Sequence, residues 1–168
     1  MIIDKSLLTE QQKLNLDYLF KQNNIPFYLQ ECGADNDRFM TFTNHVVKPD
    51  EKIKSKDIYP IFEEILIAFC KKHNIDLSGM YRCAINITFP SLKQPQQCGI
   101  HEDHDFPHKH MIIYMDNSDG DTVLLNNNNN EVTRISPDKY KIICFDSCLH
   151  YAERPTKDMR KVIVITFN

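Results

Sequence analysis

No stretch of this chain is apolar for the roughly 18 residues that a bilayer-spanning helix needs, so no membrane partner is expected. Met1 to Glu10 lacks the basic-then-apolar pattern of a secretory leader, which points to a cytoplasmic location. No internal repeat is visible. No CxxC pair occurs: the six cysteines, at 32, 70, 83, 98, 144 and 148, match no zinc ribbon or finger and are expected as reduced thiols. Nor is there a basic surplus. Twenty Lys and Arg against 23 Asp and Glu leave a formal charge of −3, which argues against a broad nucleic-acid footprint. The one lysine cluster, Lys48, Lys52, Lys54 and Lys56, alternates with Asp50, Glu51 and Asp57 and reads as a solvated loop. What is present is a globular composition, 42% hydrophobic and 10% aromatic over 168 residues, enough for a single domain with its own core.

The texture changes near Gly79. Residues 1–79 read as a helical and mixed support. Thr9 and Gln12 have capping-box spacing, so a helix starts at Thr9, carries Leu16, Leu19 and Phe20 inward, and stops at Asn23 and Asn24. The stretches 26–31 and 39–47 alternate as short strands. A second helix follows from Ile58, Ile61, Phe62, Ile65, Leu66 and Phe69, which form one stripe at helical spacing. Pro60 fits its first turn, and Lys71, Lys72 and His73 suit the negative end of its dipole. From residue 80 the period becomes two. Strands are expected at 81–89, 98–103, 110–115, 122–125, 132–135, 141–145, 149–151 and 161–167, with turn chemistry between them and a hairpin loop in the asparagine run 126–130. Eight short strands in this span imply a mainly β fold, a jelly roll with the N-terminal helices packed on one sheet.

Four of the seven histidines fall within the segment 99–110 (GIHEDHDFPHKH). On a strand, His101 and Asp103 point to one face and Glu102 to the other. One imidazole and one carboxylate from this strand, joined by a second imidazole, make the two-histidine, one-carboxylate triad of non-haem Fe(II) oxygenases. His150, at the end of a later strand, is placed to be the third ligand. Arg160 opens the last strand and shares a face with Val162, Val164 and Thr166. A guanidinium in an apolar pocket needs a carboxylate, and a dicarboxylic co-substrate supplies one if its other end chelates the metal. Two other geometries fail. His108 and His110 form a His-x-His pair, but positions 114 and 115 are Tyr and Met, so no acidic ligand follows. His104 and His108 have helical spacing, yet Pro107 lies between them. These three histidines are read as solvated or as supporting Asp103 or the substrate. His45 and His73 are read as ordinary surface residues.

Residues 81–87 (YRCAINI), 99–108, 113–122 (IYMDNSDGDT), 142–150 (IICFDSCLH) and 154–160 (RPTKDMR) together resemble the 2-oxoglutarate/Fe(II)-dependent oxygenase superfamily, in its prolyl-4-hydroxylase-like branch with compact phage and viral members. The resemblance covers roughly residues 80–168, about half the chain. It implies a double-stranded β-helix as the catalytic core over 80–168. It implies Fe(II) held by His101, Asp103 and His150, 2-oxoglutarate held at its distal carboxylate by Arg160, and O2 as the second co-substrate. Tyr81, Asn86 and Tyr114 are implied as further co-substrate contacts. In animal prolyl 4-hydroxylases the distal carboxylate is held by lysine, so Arg160 departs from that branch and loosens the carry-over of a prolyl substrate. For a viral member the location is the host cytoplasm.

The activity so implied is hydroxylation of a peptidyl, prolyl-like or small-molecule substrate, with succinate and CO2 as co-products. Two alternatives are a non-enzymatic jelly-roll module that binds or senses metal, and a nucleic-acid demethylase on the same core. The loops 33–56, 91–97 and 103–110 are the segments expected to select substrate.

Overall fold

A computed structural model describes residues 1–21, 25–31, 39–48, 53, 55–92 and 96–168. The expected helix stop at Asn23 and Asn24, Cys32, the charged positions Asp50, Glu51, Lys52 and Lys54, and parts of the loops 33–56 and 91–97 lie outside the described residues.

Two helices cover one face of a sheet. The first, α1 (Glu10–Lys21), begins with the expected capping box. Thr9 N–H donates to Gln12 Oε1 at 3.0 Å, and Gln12 N–H donates to Thr9 Oγ1 at 3.2 Å. The second, α2 (Tyr59–His73), has Pro60 in its first turn and buries Phe62, Ile65, Leu66 and Phe69 of the apolar stripe, with Ile58 and Ile61 partly buried beside them. It ends at Asn74, whose φ of 53° is left-handed, and Ile75 N–H turns back to the Cys70 carbonyl at 2.9 Å. Neither helix is long and apolar enough to cross a membrane.

The strands are β1 (Ile2–Asp4), β2 (Tyr28–Glu31), β3 (Met40–Val47), β4 (Met80–Thr88), β5 (Lys109–Tyr114), β6 (Thr122–Leu125), β7 (Glu131–Ile135), β8 (Ile142–Asp146), β9 (His150–Ala152) and β10 (Arg160–Phe167). They form a seven-stranded sheet in the order β1-β8-β5-β10-β4-β3-β2 and a three-stranded sheet in the order β7-β6-β9. Every pairing is antiparallel. Leu16, Leu19, Phe62 and Phe69 from the helices pack with Ile85, Ile113 and Ile163 on the outer face of the large sheet. Its inner face meets the small sheet, where Ile112, Tyr114, Leu124, Phe145 and Val162 form a second apolar cluster. This is the jelly-roll architecture with helices on one sheet. The asparagine run is the expected hairpin loop: Asn126 Oδ1 accepts the N–H groups of Asn128 and Asn130, at 2.9 and 3.1 Å.

Two details differ from the expectation. The strand expected over 98–103 is not continuous. Segment 96–101 joins β9 only through isolated bridges, Gln97 to Glu153 and His101 to His150. The ladder is interrupted where Cys98 Sγ accepts the Ala152 N–H at 3.1 Å. Asp103 therefore stands on a bend beyond the last bridge and not on a strand with His101. The second difference is β1, three residues long and paired with β8, too short to carry a readable period.

Candidate metal centre

His101 and His150 face each other because their backbones do. His101 N–H donates to the His150 carbonyl at 3.1 Å, and the reverse bond is 3.0 Å. This reciprocal pair brings the imidazole centroids to 4.6 Å. Each ring is then oriented by a carbonyl two residues upstream: His101 Nδ1 pairs with Gly99 O at 2.8 Å and His150 Nδ1 with Cys148 O at 3.0 Å. A carbonyl can only accept, so both Nδ1 atoms carry hydrogen, and in a neutral ring each Nε2 is then the acceptor nitrogen. His101 Nε2 lies 3.6 Å from Asp103 Oδ1. One ligand atom from each of His101, Asp103 and His150 lies within 4.8 Å of the others.

The protonation states suit metal binding. Burial lowers the pKa of His150 to about 4, with neighbouring His101 acting in the same direction, so the ring is neutral at physiological pH. Burial opposes ionisation of Asp103, but the Arg82 guanidinium and the neighbouring His101 outweigh it and hold the carboxyl well below its usual range. Two imidazoles and one carboxylate are the donor set that suits non-haem Fe(II). No fourth His, Cys, Asp or Glu joins the group among the described residues, which leaves coordination positions open, unlike a closed four-ligand structural zinc site.

The cluster opens on a cavity of about 330 Å³ between the sheets. Arg160 lines it beyond the apolar side chains Ile112, Val162 and Val164. Arg160 is only 5% exposed. Its Nε donates to Gly120 O and its Nη2 to Thr122 Oγ1, both at 2.9 Å. It makes no ion pair among the described residues. Tyr114 OH also donates to Thr122 Oγ1, at 2.8 Å. The threonine oxygen thus accepts twice, and its own hydrogen remains to be donated. A buried guanidinium held only by neutral oxygens calls for an anion.

Of the residues singled out by sequence, the fold brings His101, Asp103, His150, Arg160 and Asn86 to this one cavity. Tyr114 reaches it through Thr122. Tyr81 is not among the lining residues. Its ring packs on Phe106 and His104, at 5.1 and 6.1 Å, and its neighbour Arg82 takes the pocket-facing place. His108 and His110 are buried, not solvated. His110 Nδ1 lies 3.5 Å from Asp103 Oδ2, its Nε2 is 2.8 Å from His108 Nε2, and His108 Nδ1 pairs with Phe106 O at 2.7 Å. His104 Nε2 bonds Thr166 Oγ1 at 2.8 Å. His45 and His73 are likewise partnered rather than free on the surface, His45 with Gln30 at 3.2 Å and His73 with Asp4 at 2.8 Å. His110 thus takes the supporting place beside Asp103 that was one of its two readings, whereas Arg82, Thr122 and Gly120 were not identified from sequence as parts of this site. One signal was available for Arg82: the alternate positions Arg82, Asn86 and Thr88 form a polar row in a strand whose other row is apolar. Cys70, Cys83, Cys98, Cys144 and Cys148 are all free thiols.

No family model matches the chain, and no curated protein does. Solved structures do. A 2OG-Fe(II) oxygenase family oxidoreductase from Burkholderia pseudomallei superposes with a TM-score of 0.79 at 15% identity, over 99% of this chain and 84% of that one. A Pseudomonas putida prolyl-4-hydroxylase gives 0.66 at 12% identity, over 99% and 91%. A Trichoplax adhaerens prolyl hydroxylase, in complex with a hypoxia inducible factor peptide fragment, gives 0.64 at 16% identity, over 99% and 82%. At such identities the likeness is one of fold: the chain is a double-stranded β-helix of the kind these oxygenases have.

Proposed function

We propose that this chain is a non-haem Fe(II)- and 2-oxoglutarate-dependent dioxygenase that hydroxylates a peptidyl, prolyl-like or small-molecule substrate and releases succinate and CO2. The observation that carries the reading is one cavity with a three-ligand cluster at one place and, at another, a buried arginine without an ion pair among the described residues. That is a metal site and a carboxylate site in one pocket, the pair that a metal-chelating dicarboxylate requires. The fold shared with the oxygenases above supports it.

His101, Asp103 and His150 would hold the iron through two Nε2 atoms and a carboxylate oxygen. Bound there, iron with 2-oxoglutarate and O2 supplies the oxidising chemistry that breaks a substrate C–H bond. The chain's own residues bind and orient. Arg160 receives the distal carboxylate of 2-oxoglutarate in charge-assisted hydrogen bonds, while Gly120 O and Thr122 Oγ1 fix the direction of its fork. Tyr114 holds Thr122 so that the threonine hydroxyl can donate toward the same carboxylate. Ile112, Val162 and Val164 keep the space between dry. Asn86 Oδ1 is buried without a hydrogen-bond partner among the described residues, and the residue lines the pocket, where a bound molecule could meet the amide. We place the protein in a reducing, cytoplasm-like compartment, a reading supported by its five described free thiols.

The test is succinate release on adding O2 to protein loaded with Fe(II) and 2-oxoglutarate. Wild type should produce succinate, and Asp103→Ala should produce none above background while keeping its fold by circular dichroism. Wild-type turnover in Asp103→Ala would remove that residue from the ligand set. Tight iron binding without any 2-oxoglutarate consumption would favour the non-enzymatic metal-binding module.

A further inference from the structure

The bend that carries Asp103 is held from the opposite sheet. His101 is the last residue of its segment with a bridge to β9, and no strand partner fixes the backbone at Asp103 among the described residues. Its carboxylate is nevertheless only 6% exposed. The groups around it come from one row of the large sheet. In the register of β4, β10 and β5, Thr166 stands opposite Arg82 on one side and opposite His110 on the other. Arg82 Nη1 donates to Asp103 Oδ1 at 3.0 Å, His110 Nδ1 stands 3.5 Å from Asp103 Oδ2, and Thr166 Oγ1 bonds His104 Nε2 at 2.8 Å. Arg82 of β4 and Thr166 of β10 thus hold two consecutive residues of the bend, and His110 of β5 stands beside the first of them. His110 also lies flat on Phe145, with centroids 4.7 Å apart and planes at 9°, and sets its edge against His150 at 4.9 Å. It therefore approaches two members of the three-residue cluster.

We propose that this row positions the metal-binding carboxylate, with Arg82 as the principal positioning residue: it fixes which way the Asp103 oxygens face relative to the two imidazoles. The proposal rests on the metal-centre reading above. Two effects of Arg82 oppose each other. Its charge repels a divalent cation at the cluster, so electrostatics alone would make its removal tighten metal binding. Its hydrogen bond orders a carboxylate that sits on a bend, so loss of orientation would make removal weaken binding. The Arg82 guanidinium bonds a carboxylate oxygen that has lone pairs to spare, and partners of this kind contribute about 10–100-fold to metal affinity. The orienting effect is the larger one in this account, and the sign of the change decides.

The experiment titrates metal-stripped full-length protein with Co(II), followed by its visible d–d absorption, and with Mn(II), followed by its free-ion EPR signal. Wild type should bind one ion, and His150→Ala should lose that binding. Arg82→Met should bind about 10–100-fold more weakly, with an altered Co(II) spectrum. Arg82→Lys should recover part of the loss, since it restores the charge without the planar fork. Thr166→Val removes one buried hydroxyl at nearly constant shape and should weaken binding in the same direction by less. Folded Arg82→Met that binds either ion as tightly as wild type, or more tightly, overturns the proposal. Should that variant fail to fold, unchanged affinity in both Arg82→Lys and Thr166→Val overturns it. If wild type binds no ion, or His150→Ala binds as well as wild type, the metal-centre reading falls and this positioning role falls with it.

Discussion

The carbonyl of Gly120 takes the Arg160 Nε–H at 2.9 Å, and a methyl group on that glycine would have no room. A Cβ there would lie 2.7 Å from Glu153 O, 2.9 Å from Arg160 Cδ and 3.1 Å from Pro155 N. The tightest of these contacts is to backbone, so the turn at Gly120 must shift against the 153–155 segment, and the Arg160 side chain must move as well. Gly120→Ala should therefore move the guanidinium and weaken 2-oxoglutarate binding about tenfold, which corresponds to ~1.4 kcal/mol. The accompanying overpacking should lower stability by about 1–3 kcal/mol. An anaerobic 2-oxoglutarate titration of the iron-loaded variant checks the first effect, and urea unfolding the second. Removing the charge is more severe. Arg160→Ala loses the charge-assisted bonds, about 1.5–3 kcal/mol, and should raise the 2-oxoglutarate requirement roughly 10–100-fold with a smaller change in saturated rate. A requirement equal to that of wild type would take Arg160 out of the co-substrate site.

Among the secondary-structure elements, the first helix is anchored by a local signal and the first strand by a distant one. Thr9→Ala breaks half of the reciprocal cap of α1 and should destabilise the protein by about 1 kcal/mol, read as a lower urea midpoint. Strand β1 is tied through Asp4, whose Oδ2 is 2.8 Å from both Lys72 Nζ and His73 Nε2 at the end of α2. Burial opposes ionisation of Asp4, but Lys72, the Ser6 N–H and His73 outweigh it, so its pKa is lowered in the folded state. A lowered carboxylate pKa stabilises the fold above the unfolded value of about 3.9, and that contribution is lost as pH falls below it. Asp4→Asn should thus be less stable than wild type by about 1–3 kcal/mol at pH 7. The gap should close as pH is lowered through about 4 toward 2. A gap that stays constant over that range would show that the charge of Asp4 is not what holds β1. This tie also explains why β1 was not readable in advance. Three residues carry no period, their strand partner is β8 near the other end of the chain, and the Asp4 side chain is tied to a helix end some seventy positions away. By contrast the helical stripe of α2, the cap of α1 and the alternating strands from residue 80 are local patterns, and all could be read directly from the chain. Segment 98–103 alternates like a strand, yet the ladder stops at His101, because whether alternation becomes a ladder depends on a partner, and β9 is only three residues long.

At the scale of the whole molecule, function depends on register between elements that are far apart in sequence. His101, Asp103, His150 and Arg160 were conspicuous in one dimension because their types and spacing are unusual in a chain of this composition. Arg82, Thr122 and Gly120 were not, since each matters only through the strand or loop that faces it: Arg82 stands opposite Thr166 of β10, and Gly120 and Thr122 meet Arg160 from the loop before β6 and from β6 itself. The outer face of the large sheet is sealed by the helices, while its inner face keeps a polar row beside apolar neighbours, and this asymmetry leaves a cavity between the sheets. The central claim is that this cavity holds metal and dicarboxylate together. The most direct measurement is an anaerobic titration of the protein with Fe(II) and then 2-oxoglutarate, watching for the visible charge-transfer band of a chelated iron complex. The account predicts a band that needs both components, is lost in Asp103→Ala, and requires more 2-oxoglutarate in Arg160→Ala. Well-folded protein that gives no band with both components present would contradict it.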